Sequence, residues 1–279
     1  MDRDTILSRA LTLGEQEDWA GAAELLRDHL SDFEEDPAVH CWLGVAEREL
    51  GMDGVAYERF KRALALDPSD PYVLATAGNG IAHVDDPDAE QALRAAAVTA
   101  PDVAVGRFLY GAYLAREGFL EQGLEELRAA RELDPGDHQI AYELGAAYAM
   151  AGEHEKATDA LADAVRLAPD DGWTRVVFGL ELLEEDRMEE SAGELLSGAR
   201  LLEEDVYAQL AAALAAAATE RLDEAFEMME RARIRALEGD LALVTGVEER
   251  VDSGAEEAAR FLTEELAPNM LRLRLSERP

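Results

Sequence analysis

The chain has 279 residues, 48% apolar and only 6% aromatic, with 61 acidic against 26 basic side chains and a net charge of −35. A surface this negative excludes nucleic-acid backbones and anionic membranes, which both need a net Lys/Arg surface, and the apolar share excludes wholesale disorder. The length suits two ordinary domains or one long repeat array, and apolar content rich in Ala favours close helix packing, so the chain reads as all-α.

The opening MDRDTILSRA lacks a basic region followed by an apolar run, so no signal peptide is expected and a cytoplasmic protein is. Asp36-Pro37 and Asp70-Pro71 then read as cap-plus-first-turn-proline pairs, with Asp137, Asp171 and Asp205 as further caps. Gly51, Gly118 and Gly152 are placed to end helices in the left-handed conformation. Pro68, Pro101, Pro135 and Pro169 each follow a helix-like run and stop it, at intervals of 33, 34 and 34 residues. A period near 34 signals a repeat.

Gly44, Gly78, Gly111, Gly145 and Gly179 share that period, and so does a column of small residues including Ala23, Ala56, Ala89, Gly123, Ala157 and Ser191. A third column holds Ala63, Ala96, Ala130, Ala164 and Gly198. A fourth, mostly large and apolar, runs through Phe60, Leu93, Leu127, Leu161 and Leu195. Two helices joined by a short turn pack closely only if small residues sit where they cross, so Gly145 is expected to cross Ala157. In the third copy the turn HVDDPDAEQA is one residue short.

The stretches HCWLGVAERELGMDGVAYERFKRALALDP (40–68) and IAYELGAAYAMAGEHEKATDALADAVRLAP (140–169) resemble the tetratricopeptide repeat family. The resemblance covers about eight copies, at 4–36, 37–70, 71–103, 104–137, 138–171, 172–205, 206–239 and 240–268. It implies a right-handed α-solenoid of stacked antiparallel helix hairpins over 1–268. Arg27, Leu30, Thr263 and Leu266 break the columns in the first and last copies, as terminal repeats do. Residues 269–279, NMLRLRLSERP, form a Leu/Arg tail read as a final capping segment or a docking tail.

Catalytic spacing is absent. The five histidines have no i, i+4 partner and no Cys partner, so no metal or cofactor is expected. Glu153-His154-Glu155 reads as a solvated turn favouring the next helix N-terminus. Cys41, the single cysteine, has His40 beside it, but helix neighbours point in different directions, so packing or groove lining is expected rather than a nucleophile. In RARIRA (231–236), Arg231 and Arg235 are expected to pair with Glu227 and Glu230. LAAALAAAA (210–218) is too short to span a bilayer.

In the resembled family, partner peptides bind the concave face lined by the first helix of each hairpin, helix A. The crossing glycines mark the opposite side and so place an inner stripe. It comprises Cys41, Trp42, Val45 and Arg48, then Tyr72, Ala75 and Asn79, then Phe108, Ala112 and Arg116. It continues through Tyr142, Ala146 and Met150, through Trp173, Val176 and Leu180, and through Tyr207, Leu210 and Leu214. Some members grip a carboxylate with Lys, Arg and Asn there. Here Asn79 stands without the matching lysines, so an apolar or helical segment fits better. The expected function is a non-catalytic adaptor for protein partners. The alternatives are a self-assembling subunit or regulator of a multiprotein complex, forming a homo-oligomer, and an enzyme with a cryptic site. Lys61 and Lys156 are the only lysines, and with the acid excess this composition resembles proteins of extreme halophiles, so stability in high salt is expected.

Overall fold

A computed structural model describes residues 1–277; Arg278 and Pro279, the end of the expected tail, lie outside the described residues. Helices form the whole architecture, with no strand among the described residues. The chain divides into two compact units, residues 1–134 and 135–277.

The first unit holds four packed hairpins: α1 (Arg3–Glu15) with α2 (Trp19–His29), α3 (Pro37–Glu49) with α4 (Asp53–Ala65), α5 (Pro71–Ala82) with α6 (Ala89–Thr99), and α7 (Ala104–Arg116) with α8 (Leu120–Leu133). Neighbouring first helices also touch, α1 with α3, α3 with α5 and α5 with α7. The second unit continues with α9 (His138–Met150) and α10 (His154–Leu167), α11 (Gly172–Leu182) and α12 (Met188–Leu201), and α13 (Val206–Ala218) and α14 (Leu222–Arg235). It ends with α15 (Leu241–Ser253), α16 (Ala255–Phe261) and α17 (Ala267–Ser276).

Local chemistry starts and stops these helices. The Asp36 carboxylate accepts from the amides of Ala38 and Val39, Asp137 from Gln139 and Ile140, and Asp171 from Trp173 and Thr174. Asp70 and Asp205 cap α5 and α13 in the same way, satisfying amides that have no partner within the helix. Gly51, Gly118 and Gly152 turn left-handed, at φ 73°, 86° and 72°. Where the turn lacks glycine, Glu17, Asp186 and Glu220 take φ near 59° instead.

The crossings refine the expected pairing. A Cβ on Gly145 would stand 2.7 Å from Leu161 Cγ and 3.2 Å from the Ala157 carbonyl oxygen. The glycine therefore clears space for the large side chain one turn beyond the small one, as Gly44 does for Phe60 and Gly179 for Leu195. Arg27 breaks that apolar column for a reason. Its guanidinium donates to Glu47 Oε1 at 2.9 and 3.0 Å, and Glu47, fully buried, also faces Arg59 Nε at 3.4 Å. A buried carboxylate needs such partners.

A second clasp recurs at a spacing of two repeats. Arg107 Nε donates to the Pro101 carbonyl at 2.8 Å while its Nη1 reaches Glu126 at 2.7 Å. Arg175 does the same to Pro169 and Glu194, at 2.7 and 2.6 Å. Each arginine thus ties the proline that ends one hairpin to the second helix of the next.

The last hairpin departs from the pattern. α16 packs against α13 as well as α15 and runs through a five-residue π-helical stretch, Leu262–Leu266, into α17. α17 lies on α11 and α9. The segment from 255 to 276 is thus one bent helical course along the first-helix row of the second unit. It accounts for α13, where Ala208 to Ala217 are all buried despite the small side chains.

Candidate partner-binding face

The residues expected to line the groove divide by burial. Cys41, Ala75, Phe108 and Ala112 are buried in the first unit, where neighbouring first helices close over them. Asn79 is buried as well. Ala146, Val176, Leu180, Leu210 and Leu214 are buried in the second. These positions pack inside their unit rather than on an open surface. A stripe drawn from period alone does not register how much of it the next helix covers.

What remains accessible is a smaller set. Trp42, Val45 and Arg48 are half-buried on α3, and Tyr72 is exposed on α5. Arg116 is half-buried, its Nη1 donating to the Ala112 carbonyl at 3.1 Å. Tyr142, Met150 and Trp173 are half-buried, and Tyr207 is exposed.

In the first unit, Trp42 and Val45 open onto a cleft of about 290 Å³ between α1 and α3, floored by Ala22 and Leu26 of α2. Leu11 and Trp19 complete walls that are almost wholly apolar. Trp19 reaches the cleft because Gly14 has no side chain: a Cβ there would lie 2.8 Å from the indole ring.

In the second unit the equivalent row is occupied. Met270, Leu271 and Leu275 of α17 are buried in the same apolar cluster as Val176, Leu180 and Ala146, with Tyr142, Met150 and Trp173 packed against it. Arg274 lays its guanidinium over the Trp173 ring, 3.2 Å from the centroid, a cation–π contact. Beside α17 a cleft of about 320 Å³ stays open between Trp173, Asp205, Tyr207 and Leu273. As a helix, α17 turns Leu273 to solvent and brings Met270 inward.

Burial pushes the Cys41 thiol far above the ordinary thiol range, and its Sγ faces the Val73 carbonyl, so no thiolate is available. Among the described residues no group of three or more His, Cys, Asp or Glu could hold a metal ion. No helix among them is long and apolar enough to cross a membrane. In RARIRA, Arg231 pairs with Glu227 at 2.8 Å as expected, but Arg235 pairs with Glu204 and Glu230 with Arg233.

His154 corrects the solvated reading of its turn. Its Nδ1 lies 2.6 Å from Glu181 Oε1, a buried carboxylate on the next hairpin. The hydrogen bond to Glu181 holds the His154 pKa above 6.5, against the opposing effect of burial. Burial outweighs the imidazolium and raises Glu181 as well. The raised His154 value adds stability that is present below about pH 6.5 and is lost as pH rises through the raised value, while burial of the Glu181 carboxylate adds a cost that grows as pH rises above about 4.5 and that carboxylate ionises. The His154 Cε1 proton should titrate above 6.5 by NMR and return toward 6.5 in Glu181→Gln. An unchanged midpoint in that variant would remove the pair from the account.

Residues 7–71 and 120–175 each match a tetratricopeptide repeat family model. No curated protein matches the sequence significantly. Among solved structures, a chain of the APC/C hetero-tetramer Cut9–Hcn1 gives a TM-score of 0.72 at 15% identity, over 90% of this chain and 49% of that one, so the present chain spans about half its length. PilF of Pseudomonas aeruginosa gives 0.57 at 18% identity over 71% of this chain and 90% of that one. The C-terminal part of a TPR repeat-containing protein from Cytophaga hutchinsonii gives 0.52 at 14%, over 81% and 93%. At such identities the likeness is one of fold. The repeat that the spacing implied is therefore carried by the packed hairpins and by the two matched stretches, residues 7–71 and 120–175, which are tetratricopeptide repeats, a unit that generally serves as a scaffold for protein interactions.

Proposed function

We propose that the chain is an adaptor whose helix-A face binds an apolar, helical segment of a protein partner. The observation that carries this reading is that the second unit's face already seats a helix, α17, through Met270, Leu271 and Leu275. The first unit offers the open counterpart, the cleft beside Trp42 and Trp19. An amphipathic helix with anchors at three- and four-residue spacing would fill such a cleft, each fully buried large side chain contributing about 2 kcal/mol before ordering costs.

A phage-displayed library of amphipathic helices, selected on the full chain in molar KCl, should enrich sequences with that spacing. Trp42→Ala should weaken their binding by about tenfold while helical circular dichroism is unchanged. Equal binding by both chains would sink the first unit's cleft as the site. Self-assembly is the second reading, favoured because the helix in the second unit's face belongs to the chain itself, so a second copy's α17 suits the same seat. Light scattering in molar KCl that stays monomeric at every concentration would rule it out.

A further inference from the structure

We propose that α17 is a resident ligand: it closes the second unit's helix-A face until an arginine-bearing amphipathic helix from a partner displaces it. This rests on the adaptor reading above and adds the partner's chemistry and the control of access.

The path of α17 separates it from a simple end cap. A cap would cover the last hairpin, whereas α17 reaches back onto α11 and α9. There it covers part of the row through Tyr142, Met150 and Trp173. Its joint is built for release. Pro268 has no amide to donate and stands two residues past the π-helical stretch, where the regular ladder is already broken. Leu262 and Leu266 stay buried on the near side of that joint, so α17 can leave while α16 remains on α13.

The seating is also incomplete. Leu273 is 57% exposed and Tyr207 44%, flanking the open cleft beside Trp173. A longer helix would bury both. The partner's character follows from what α17 presents: two apolar residues together, a third one turn on, and an arginine over Trp173. Arg272 and Arg274 sit in a chain of net charge −35, and a basic helix is what such a surface attracts.

The test uses a labelled peptide of residues 255–277 and the full chain in molar KCl. The unaltered chain should bind it at least about tenfold more weakly than a full chain carrying Leu271→Asp and Leu275→Asp, whose own α17 cannot seat. Arg274→Ala in the peptide should weaken binding to that variant by about fivefold. Hydrogen exchange on the unaltered chain keeps the proposal testable if the variant fails to fold. α17 amides should exchange at least about tenfold faster than those of α11, and excess peptide should raise α17 exchange without touching α11. Equal peptide binding by both chains leaves the face as a helix site and overturns the resident-ligand role, as does an α17 that exchanges at α11's rate. A folded variant with α17 released and no peptide bound overturns the adaptor reading for this face itself.

Discussion

Moving the chain from molar to millimolar KCl is expected to abolish most of its helical circular dichroism, and restoring KCl to recover it. The sign comes from two opposing effects. Salt screens attraction within ion pairs, which destabilises, and screens repulsion among surplus charges, which stabilises. The basic side chains are largely committed: Lys61 lies 2.8 Å from Asp88 and 3.1 Å from Asp86, Arg107 and Arg175 hold their clasps, and Arg27 holds Glu47. The net charge of −35 is left uncompensated over a folded surface. At 1 M salt the Debye length is about 3 Å and that repulsion is largely gone; at 0.01 M it is about 30 Å and the repulsion spans a whole hairpin. Against a typical stability of about 5–15 kcal/mol, self-repulsion of this size decides whether the chain folds. Buried Glu47 is shielded, so its pairs survive the screening that weakens surface pairs. Urea midpoints that coincide at low and molar KCl would refute the prediction, and recovery with uncharged sucrose at matched osmolality would assign the effect to exclusion rather than screening.

Legibility followed locality. Asp36, Asp137 and Asp171 could be read as caps because a cap is decided by residues two or three positions away. Gly51 and Gly152 could be read as left-handed for the same reason. Gly145 was only half legible: its small partner Ala157 is a matter of period, but the contact with Leu161 depends on how the crossing tilts. Cys41 and Phe108 lie on the predicted stripe yet are buried, because coverage by the neighbouring helix is a property of stacking distance. His154 and Glu181 lie 27 residues apart, off the period, so no column joins them. The arginine clasps were present as a signal: Arg107 and Arg175 stand two periods apart with Pro101 and Pro169 ahead of each. The seat of α17 was legible only as two alternatives: its leucines read as a final capping segment or as a docking tail, and three-dimensional packing is what sets them on α11 and α9.

Gly123→Val is expected to destabilise the first unit by about 3 kcal/mol, through overpacking of a site that cannot yield. At most crossings a glycine faces a side chain, which can turn aside. Here α7 and α8 meet backbone to backbone. A Cβ on Gly123 would stand 2.8 Å from the Gly111 carbonyl oxygen and 2.9 Å from the Ala115 amide nitrogen. The reciprocal position is as tight, since a Cβ added at Gly111 would stand 2.9 Å from the Gly123 carbonyl oxygen. Valine adds two further methyl groups beyond that clash, so the helices must separate and lose the contacts of Leu124 and Leu127 on the same face. Gly193→Ala supplies the opposite sign. Gly193 lies inside α12 with nothing within 4 Å of its added Cβ, so alanine should stabilise by about 1 kcal/mol through helix propensity alone. Trp173 is the only tryptophan of the second unit, whereas Trp19 and Trp42 belong to the first. Variants keeping one or the other set of tryptophans can therefore follow the two units separately during urea unfolding in molar KCl. Gly123→Val should lower the midpoint reported by Trp19 and Trp42 more than the one reported by Trp173. Equal and small shifts in both would mean that the α7–α8 backbone contact is looser than its geometry requires.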